Sequence, residues 1–136
     1  MTNTALTARV LIGDDEPISI AFIKESFEDA RVQIDEATSS ADLIKKAKEA
    51  CDTKMPYNLI ITDNNYRGVR GIEAIRQIRD FDRTTPIMWH STSIEDNADQ
   101  EAKNAGANRF VSTSFIFGSQ EPQKQYEILK QVHDDK

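Results

Sequence analysis

The sequence has little of what defines several protein classes. Cys51 is its only cysteine, which excludes a disulfide framework within the chain and a thiolate metal site. No apolar run approaches the roughly 20 residues that a membrane-spanning helix needs, and residues 1–7 form a polar tail without the basic and apolar blocks of a secretory signal. The net charge of -6 disfavours nucleic acid and anionic membranes as partners, because both would repel the chain. We therefore expect a cytoplasmic protein.

Internal repeats, low-complexity stretches and Pro/Gly-rich linkers are also missing, and 136 residues suit one domain spanning 1–136. What recurs is a short apolar run followed by a longer segment of helical period. The apolar runs are residues 10–12, 32–37, 59–61, 87–89 and 110–111. Three of them are nearly continuous, which is typical of parallel strands covered by helices on both faces.

Each apolar run is followed by a candidate helix. The first opens at Pro17, a residue suited to a first helical turn, and the second shows a capping pattern at Ser39 and Asp42. The third covers 71–80, the fourth covers 97–104 with only alanines on its inner side, and the fifth opens at Pro122. This alternation predicts an α/β fold of three layers: a doubly wound, five-stranded parallel sheet in the order 2-1-3-4-5 with five helices.

Carboxylates follow two strands that this order makes neighbours. Ligands bind such folds beyond the carboxyl ends of the strands, where the strand order reverses, here between the first and third strands. The first strand ends at Asp14 and Asp15, and the third ends at Asp63. Clustered carboxylates repel one another unless a cation lies among them, and oxygen ligands favour magnesium or a similar hard cation. A structural alternative is that Asp14 or Asp15 caps the first helix and Asp63 begins a turn; the joint placement favours the metal site.

A carboxylate beside magnesium can attack phosphorus, so Asp63 is a candidate nucleophile that would form an aspartyl phosphate. Phosphoryl transfer requires mainly positioning and neutralisation of the phosphoryl oxygens. Ser91 follows the fourth apolar run, and its hydroxyl can donate to such an oxygen. It can equally be an ordinary loop or cap serine.

Several segments, in this order along the chain, resemble the receiver domains of two-component response regulators. They are residues 10–17, 59–63 with Gly71, 86–91, and 106–111. The resemblance spans nearly the whole chain and implies a flavodoxin-like fold. It implies that Asp63 is the phosphoacceptor and that Asp15 binds Mg²⁺ directly. Asp14 would help through water, and the backbone carbonyl of Asn65 would complete the protein ligands.

The resemblance also implies a switch, and here the chain departs from the family. Ser91 would contact the phosphoryl group, and Phe110 would change rotamer beneath the surface formed by the fourth helix, fifth strand and fifth helix. The family's lysine position holds Thr113, which cannot supply the positive charge between acceptor and phosphate. Arg67 or Arg70 is a candidate replacement, although the favoured interpretation is that both are solvated loop arginines.

His90 allows two interpretations. A catalytic or phosphorylated histidine is one, but Trp89 beside it and the apolar residues before it favour a core or helix-contact role. His133, among aspartate and lysine near the last residue, is interpreted as solvated.

The leading functional hypothesis is therefore a phospho-accepting receiver rather than an enzyme, with at most self-phosphorylation from a donor and self-dephosphorylation. Its partners would be a sensor histidine kinase or phosphotransfer protein and a downstream protein target, with the chain a monomer or weak homodimer. Thr113 favours a second hypothesis, a pseudo-receiver scaffold that phosphate does not switch. A small-molecule binder or phosphatase ranks last, because a P-loop is absent and Asn65 stands where a haloacid-dehalogenase-type phosphatase has an aspartate.

Overall fold

The computed structural model describes residues 8–27, 32–64, 70–91 and 98–112. Strands and helices alternate throughout these ranges, and their bounds are β1 (Ala8–Gly13), α1 (Pro17–Glu25), β2 (Val32–Ala37), α2 (Ser40–Asp52), β3 (Leu59–Asp63), α3 (Gly71–Arg79), β4 (Ile87–Ser91), α4 (Ala98–Ala105) and β5 (Arg109–Ser112). The polar tail and the predicted fifth helix lie outside the described residues.

The five strands form one parallel sheet in the order β2-β1-β3-β4-β5, which confirms the predicted topology. Each of the four described helices forms the crossover between two consecutive parallel strands. The register aligns the carboxyl ends of the central strands, because Gly13 pairs with Thr62 and Asp63 pairs with His90. Residues that end β3 and β4, and those that follow β1, therefore meet at one edge of the sheet.

Apolar side chains cover both faces of the sheet, and β3 is buried along its whole length. Because side chains alternate along a strand, Leu11 and Ile60 enter a cluster with the inner faces of α2, α3 and α4. Ile12 and Ile61 enter a second cluster with residues of α1. The continuous apolar runs of the sequence thus correspond to strands that are buried on both faces, as predicted.

Local signals begin and end the helices where the sequence indicates. Pro17 occupies the first turn of α1, and Ser39 caps α2 by accepting the backbone N–H of Asp42 on its hydroxyl at 3.0 Å. The alanine face of α4 is buried as predicted, and α4 ends at Ala105, directly before Gly106, whose φ of 111° lies in the left-handed region. Across the described ranges, none of the helices has both the length and the apolar character needed to cross a membrane.

Candidate functional site

Three ionisable side chains from β3, β4 and the turn after β1 converge at the carboxyl edge of the sheet. Asp14, Asp63 and His90 each offer one ligand atom, and these atoms lie within 4.8 Å of one another. The Nδ1 atom of His90 lies 3.6 Å from Oδ1 of Asp63, and its Nε2 atom lies 3.8 Å from Oδ2 of Asp14. Asp14 is 1% exposed, Asp63 8% and His90 0%. The site that Asp14, Asp63 and His90 form is called the pocket below.

The turn that follows β1 holds the Asp14 carboxylate in place. The backbone N–H of Asp14 donates to the carbonyl of Ala37 in β2 at 2.9 Å. The N–H of Glu16 donates to Oδ1 of Asp14 at 3.0 Å, which leaves Oδ2 facing His90. Asp14 therefore supports the turn before α1. The helix cap that the structural alternative assigned to Asp14 or Asp15 is not formed, because the N-cap residue is Glu16.

Burial raises the pKa of Asp14 from 3.8 to about 7. The negative charges of Asp63, Asp15 and Glu16 contribute to this increase, while the hydrogen bond from the Glu16 N–H opposes it. A buried carboxylate that its neighbours repel is stabilised in its charged form mainly by a nearby cation. Two neighbouring buried carboxylates are also the oxygen donors that magnesium prefers, so the two aspartates of the pocket fit Mg²⁺.

Burial has the opposite effect on His90, whose pKa it lowers to about 4. The imidazole is thus neutral at neutral pH, and its contacts with the two aspartates are not ion pairs. Both separations also exceed hydrogen-bond length. The core role predicted for His90 agrees with its complete burial, but its ring faces the carboxylates. The register of β3 and β4 predicts that His90 lies near Asp63, because the two residues are paired directly opposite each other.

Gly71 allows α3 to begin directly against the end of β3. Its backbone N–H donates to the carbonyl of Asn64 at 3.0 Å. A Cβ atom at this position would lie 2.0 Å from the carbonyl oxygen of Asp63 and 2.8 Å from Cα of Asn64. No side chain fits such an approach between two backbones. The glycine is therefore needed to keep Asp63 in its observed position.

Replacing Gly71 by alanine is expected to lower the free energy of unfolding by about 1–3 kcal/mol, because α3 and the end of β3 must separate to admit the methyl group. Urea unfolding followed by circular dichroism measures the change. Arg76→Ala is a matched control on an exposed position of the same helix, where an effect within about 0.5 kcal/mol is expected. Equal unfolding midpoints for Gly71→Ala and the wild type would contradict the close approach.

The other predicted pocket residues lie near this edge or outside the described ranges. Asp15 is half-buried and follows Asp14, but it is not part of the group within 4.8 Å. Ser91 is buried at the last position of β4, directly after His90. Arg70 is exposed at the N-cap of α3. Asn65, Arg67 and Thr113 fall outside the described residues, and their roles stay predictions.

Phe110, the predicted switch residue, packs on Trp89. The two ring centroids are 4.9 Å apart and the planes are inclined by 47°. Trp89 is buried in the cluster that also contains the alanines of α4, and Phe110 is half-buried against that cluster. The Trp89 and Phe110 side chains therefore connect the strand of His90 and Ser91 with the α4 side of the domain.

A parallel sheet of this order places the chain in the class of flavodoxin-like α/β domains, and the acidic pocket lies at its switch point. Within that class, the family model for the response regulator receiver domain matches residues 10–118. The chain belongs to the response regulator receiver domain family. Members of this family are signalling modules and generally not enzymes.

Individual relatives and solved structures agree with this assignment. The chain is 28% identical over 99 residues to the sensor protein EvgS of Escherichia coli O157:H7, covering 73% of the chain and 8% of EvgS. It is 30% identical over 107 residues to the transcriptional regulatory protein ResD of Bacillus subtilis, covering 79% of the chain and 42% of ResD. The chain thus spans less than half the length of these two relatives.

Among solved structures, chemotaxis protein CheY4 of Vibrio cholerae superposes with a TM-score of 0.73 at 24% identity, over 88% of this chain and 95% of that one. A CheY-like receiver domain protein of Methanospirillum hungatei gives 0.74 at 14% identity, over 93% and 99% of the two chains. At these identities the superpositions establish the fold alone.

Proposed function

We propose that this chain is a phospho-accepting receiver domain in which Asp63 takes up a phosphoryl group in the presence of Mg²⁺ and which signals by docking to another protein. The observation that carries the proposal is the convergence of Asp63 with Asp14 in one buried pocket at the sheet's carboxyl edge. Two buried carboxylates that repel each other destabilise the fold, whereas a cation bound between them removes the repulsion and neutralises charge on a phosphoryl group.

Asp63 is the nucleophile in this proposal. One of its carboxylate oxygens attacks the phosphorus atom of the donor, the bond from phosphorus to the donor breaks, and the electron pair leaves with the donor. Asp14, Asp15, Asp63 and the backbone carbonyl of Asn65 would hold Mg²⁺. When bound, that ion neutralises charge on the phosphoryl oxygens.

Ser91 and Phe110 would report the phosphorylation to the surface. Ser91 ends the strand next to Asp63, where its hydroxyl could donate to a phosphoryl oxygen. One residue separates it from Trp89, which contacts Phe110. A shift of Ser91 towards the phosphoryl group would therefore disturb the Trp89–Phe110 contact beneath α4 and alter the surface that a target protein reads.

The phosphoryl donor would be a sensor histidine kinase or a phosphotransfer protein, and the receptor of the signal a downstream protein. Regions similar to this chain occur both in a protein named as a sensor and in one named as a transcriptional regulator. Both associations support a donor and a target in phosphorelay signalling.

Incubation with acetyl phosphate tests the proposal. The chain is expected to gain the mass of one phosphoryl group in the presence of Mg²⁺ and none when EDTA removes the ion, as measured by intact-protein mass spectrometry. The fluorescence of Trp89, the only tryptophan, should change in the same samples. A folded protein that acquires no phosphoryl group under any of these conditions would favour the pseudo-receiver hypothesis instead.

A further inference from the structure

The pocket contains a nitrogen donor as well as oxygen donors. His90 lies between the two carboxylates, with a different ring nitrogen directed at each of them. The three donor groups come from β4, β3 and the turn after β1, so the sheet register sets their spacing. An imidazole in this place changes which metal ion the pocket prefers.

We propose that His90 is a direct metal ligand and that the pocket binds a first-row transition metal ion through Asp14, Asp63 and His90. This inference rests on the metal site of the proposed function and deepens it, because it names the class of ion. Carboxylate and water suit Mg²⁺, whereas imidazole suits zinc, cobalt, nickel and copper.

The spacing of the donor atoms agrees with a single ion. Ligand atoms about 2.0–2.2 Å from a zinc ion in a tetrahedral site are roughly 3.5 Å from one another. The separations of 3.6 and 3.8 Å belong to different ring nitrogens, Nδ1 and Nε2, so a single ion would use only one of them. One ligand atom from each of the three residues lies within 4.8 Å of the other two, and side-chain rotations that shorten this spacing would bring all three around one ion.

The surroundings also prepare the imidazole for this role. His90 is completely buried at the carboxyl edge of the sheet, beside both aspartates. The N–H of Asn64 donates to the His90 carbonyl at 3.0 Å, which ties the end of β4 to the end of β3. The backbone that carries the ring is therefore held beside the ion that Asp14 and Asp63 would share.

Titration with Co²⁺ and with Mg²⁺ tests the inference, using visible absorption for Co²⁺ and calorimetry for both ions. His90→Gln is expected to weaken Co²⁺ binding more than about 100-fold, which exceeds the roughly 10- to 100-fold cost of losing an outer-shell partner alone, and to leave Mg²⁺ binding within about threefold. His133→Gln is the matched control, since the chain has only two histidines. That variant should bind both ions like the wild type.

A spectroscopic measurement on the wild type keeps the test independent of variant folding. Cu²⁺ bound at one equivalent should show nitrogen couplings from a single imidazole in pulsed electron paramagnetic resonance, and His133→Gln should retain them. Their absence, or equal Co²⁺ affinity of folded His90→Gln and wild type, would overturn the inference while leaving Mg²⁺-dependent phosphorylation intact. Failure of the proposed function would give a different result, because Asp63 would then gain no phosphoryl group with either Mg²⁺ or Co²⁺ bound.

Discussion

Replacing Asp63 by asparagine is expected to abolish phosphorylation by acetyl phosphate, down to the background of a reaction without donor. The amide oxygen of asparagine is a much weaker nucleophile than a carboxylate, and the change also removes one negative charge from the pocket. Asparagine retains the size of the side chain, so β3 and its pairing with β4 should persist. Intact mass spectrometry measures the phosphoryl gain, and circular dichroism verifies the fold.

Asp52→Asn provides the control, because Asp52 is an exposed aspartate at the end of α2, away from the pocket. It should be labelled like the wild type. Reduction with borohydride then distinguishes the acceptors in the wild type, since an aspartyl phosphate is reduced to homoserine and a phosphohistidine is not. Equal labelling of Asp63→Asn and the wild type, or a phosphoryl group mapped to His90, would contradict the assignment of Asp63.

Replacing Asp14 by asparagine is expected to raise the free energy of unfolding of the metal-free protein by about 1–3 kcal/mol near pH 8. The pKa of Asp14 is 3.8 in the unfolded chain and about 7 in the folded one. Between these values the folded protein binds the proton more tightly, so this group's contribution to stability falls as the pH rises from about 4 to about 7. The asparagine side chain stays neutral at every pH. The variant therefore lacks the destabilisation that the ionised Asp14 carboxylate causes at high pH.

His90 contributes with the opposite sign over part of the same range. Its folded pKa of about 4 lies below the unfolded value of 6.5, so the stability that it contributes is lost as the pH falls from about 6.5 to about 4. The two contributions oppose each other in the wild type between about pH 4 and pH 6.5. In Asp14→Asn only the His90 contribution remains, and stability should rise with pH across that window.

Urea unfolding in EDTA at about pH 5 and about pH 8 measures both effects. The difference between Asp14→Asn and the wild type should be small at the lower pH and largest at the higher. Glu49→Gln, an exposed carboxylate on α2, should follow the wild type at both. Adding Mg²⁺ near pH 8 should restore stability to the wild type more than to Asp14→Asn, because the cation stabilises a buried negative charge that the variant lacks. Identical pH dependence of the two proteins would show that Asp14 is not an isolated buried charge.

Much of the fold could be predicted from local patterns, because each pattern has a physical cause that acts within a few residues. Ser39 caps α2, as its spacing to Asp42 indicates, and Pro17 lies in the first turn of α1. The alternation of apolar runs and helical segments leaves few topologies, and the observed sheet order is the predicted one. The convergence of Asp14 with Asp63 follows from that order, since the strands that precede them are neighbours.

The character of the pocket depends on contacts between residues that are remote in the sequence. The apolar neighbours of His90 predict a core residue, and only the pairing of β3 with β4 shows that its ring faces Asp63 and Asp14. The raised pKa of Asp14 likewise requires the burial that packing produces.

The sequence by itself determined the order of the strands, the helix caps and the meeting of two carboxylates, since periodicity and capping are local and parallel crossovers have one hand. Only the tertiary structure decided that Gly71 lies against the Asp63 backbone and that an imidazole lies between the carboxylates. Such contacts require separate elements to be positioned to within a few tenths of an ångström. No pattern within one segment of the chain predicts that positioning.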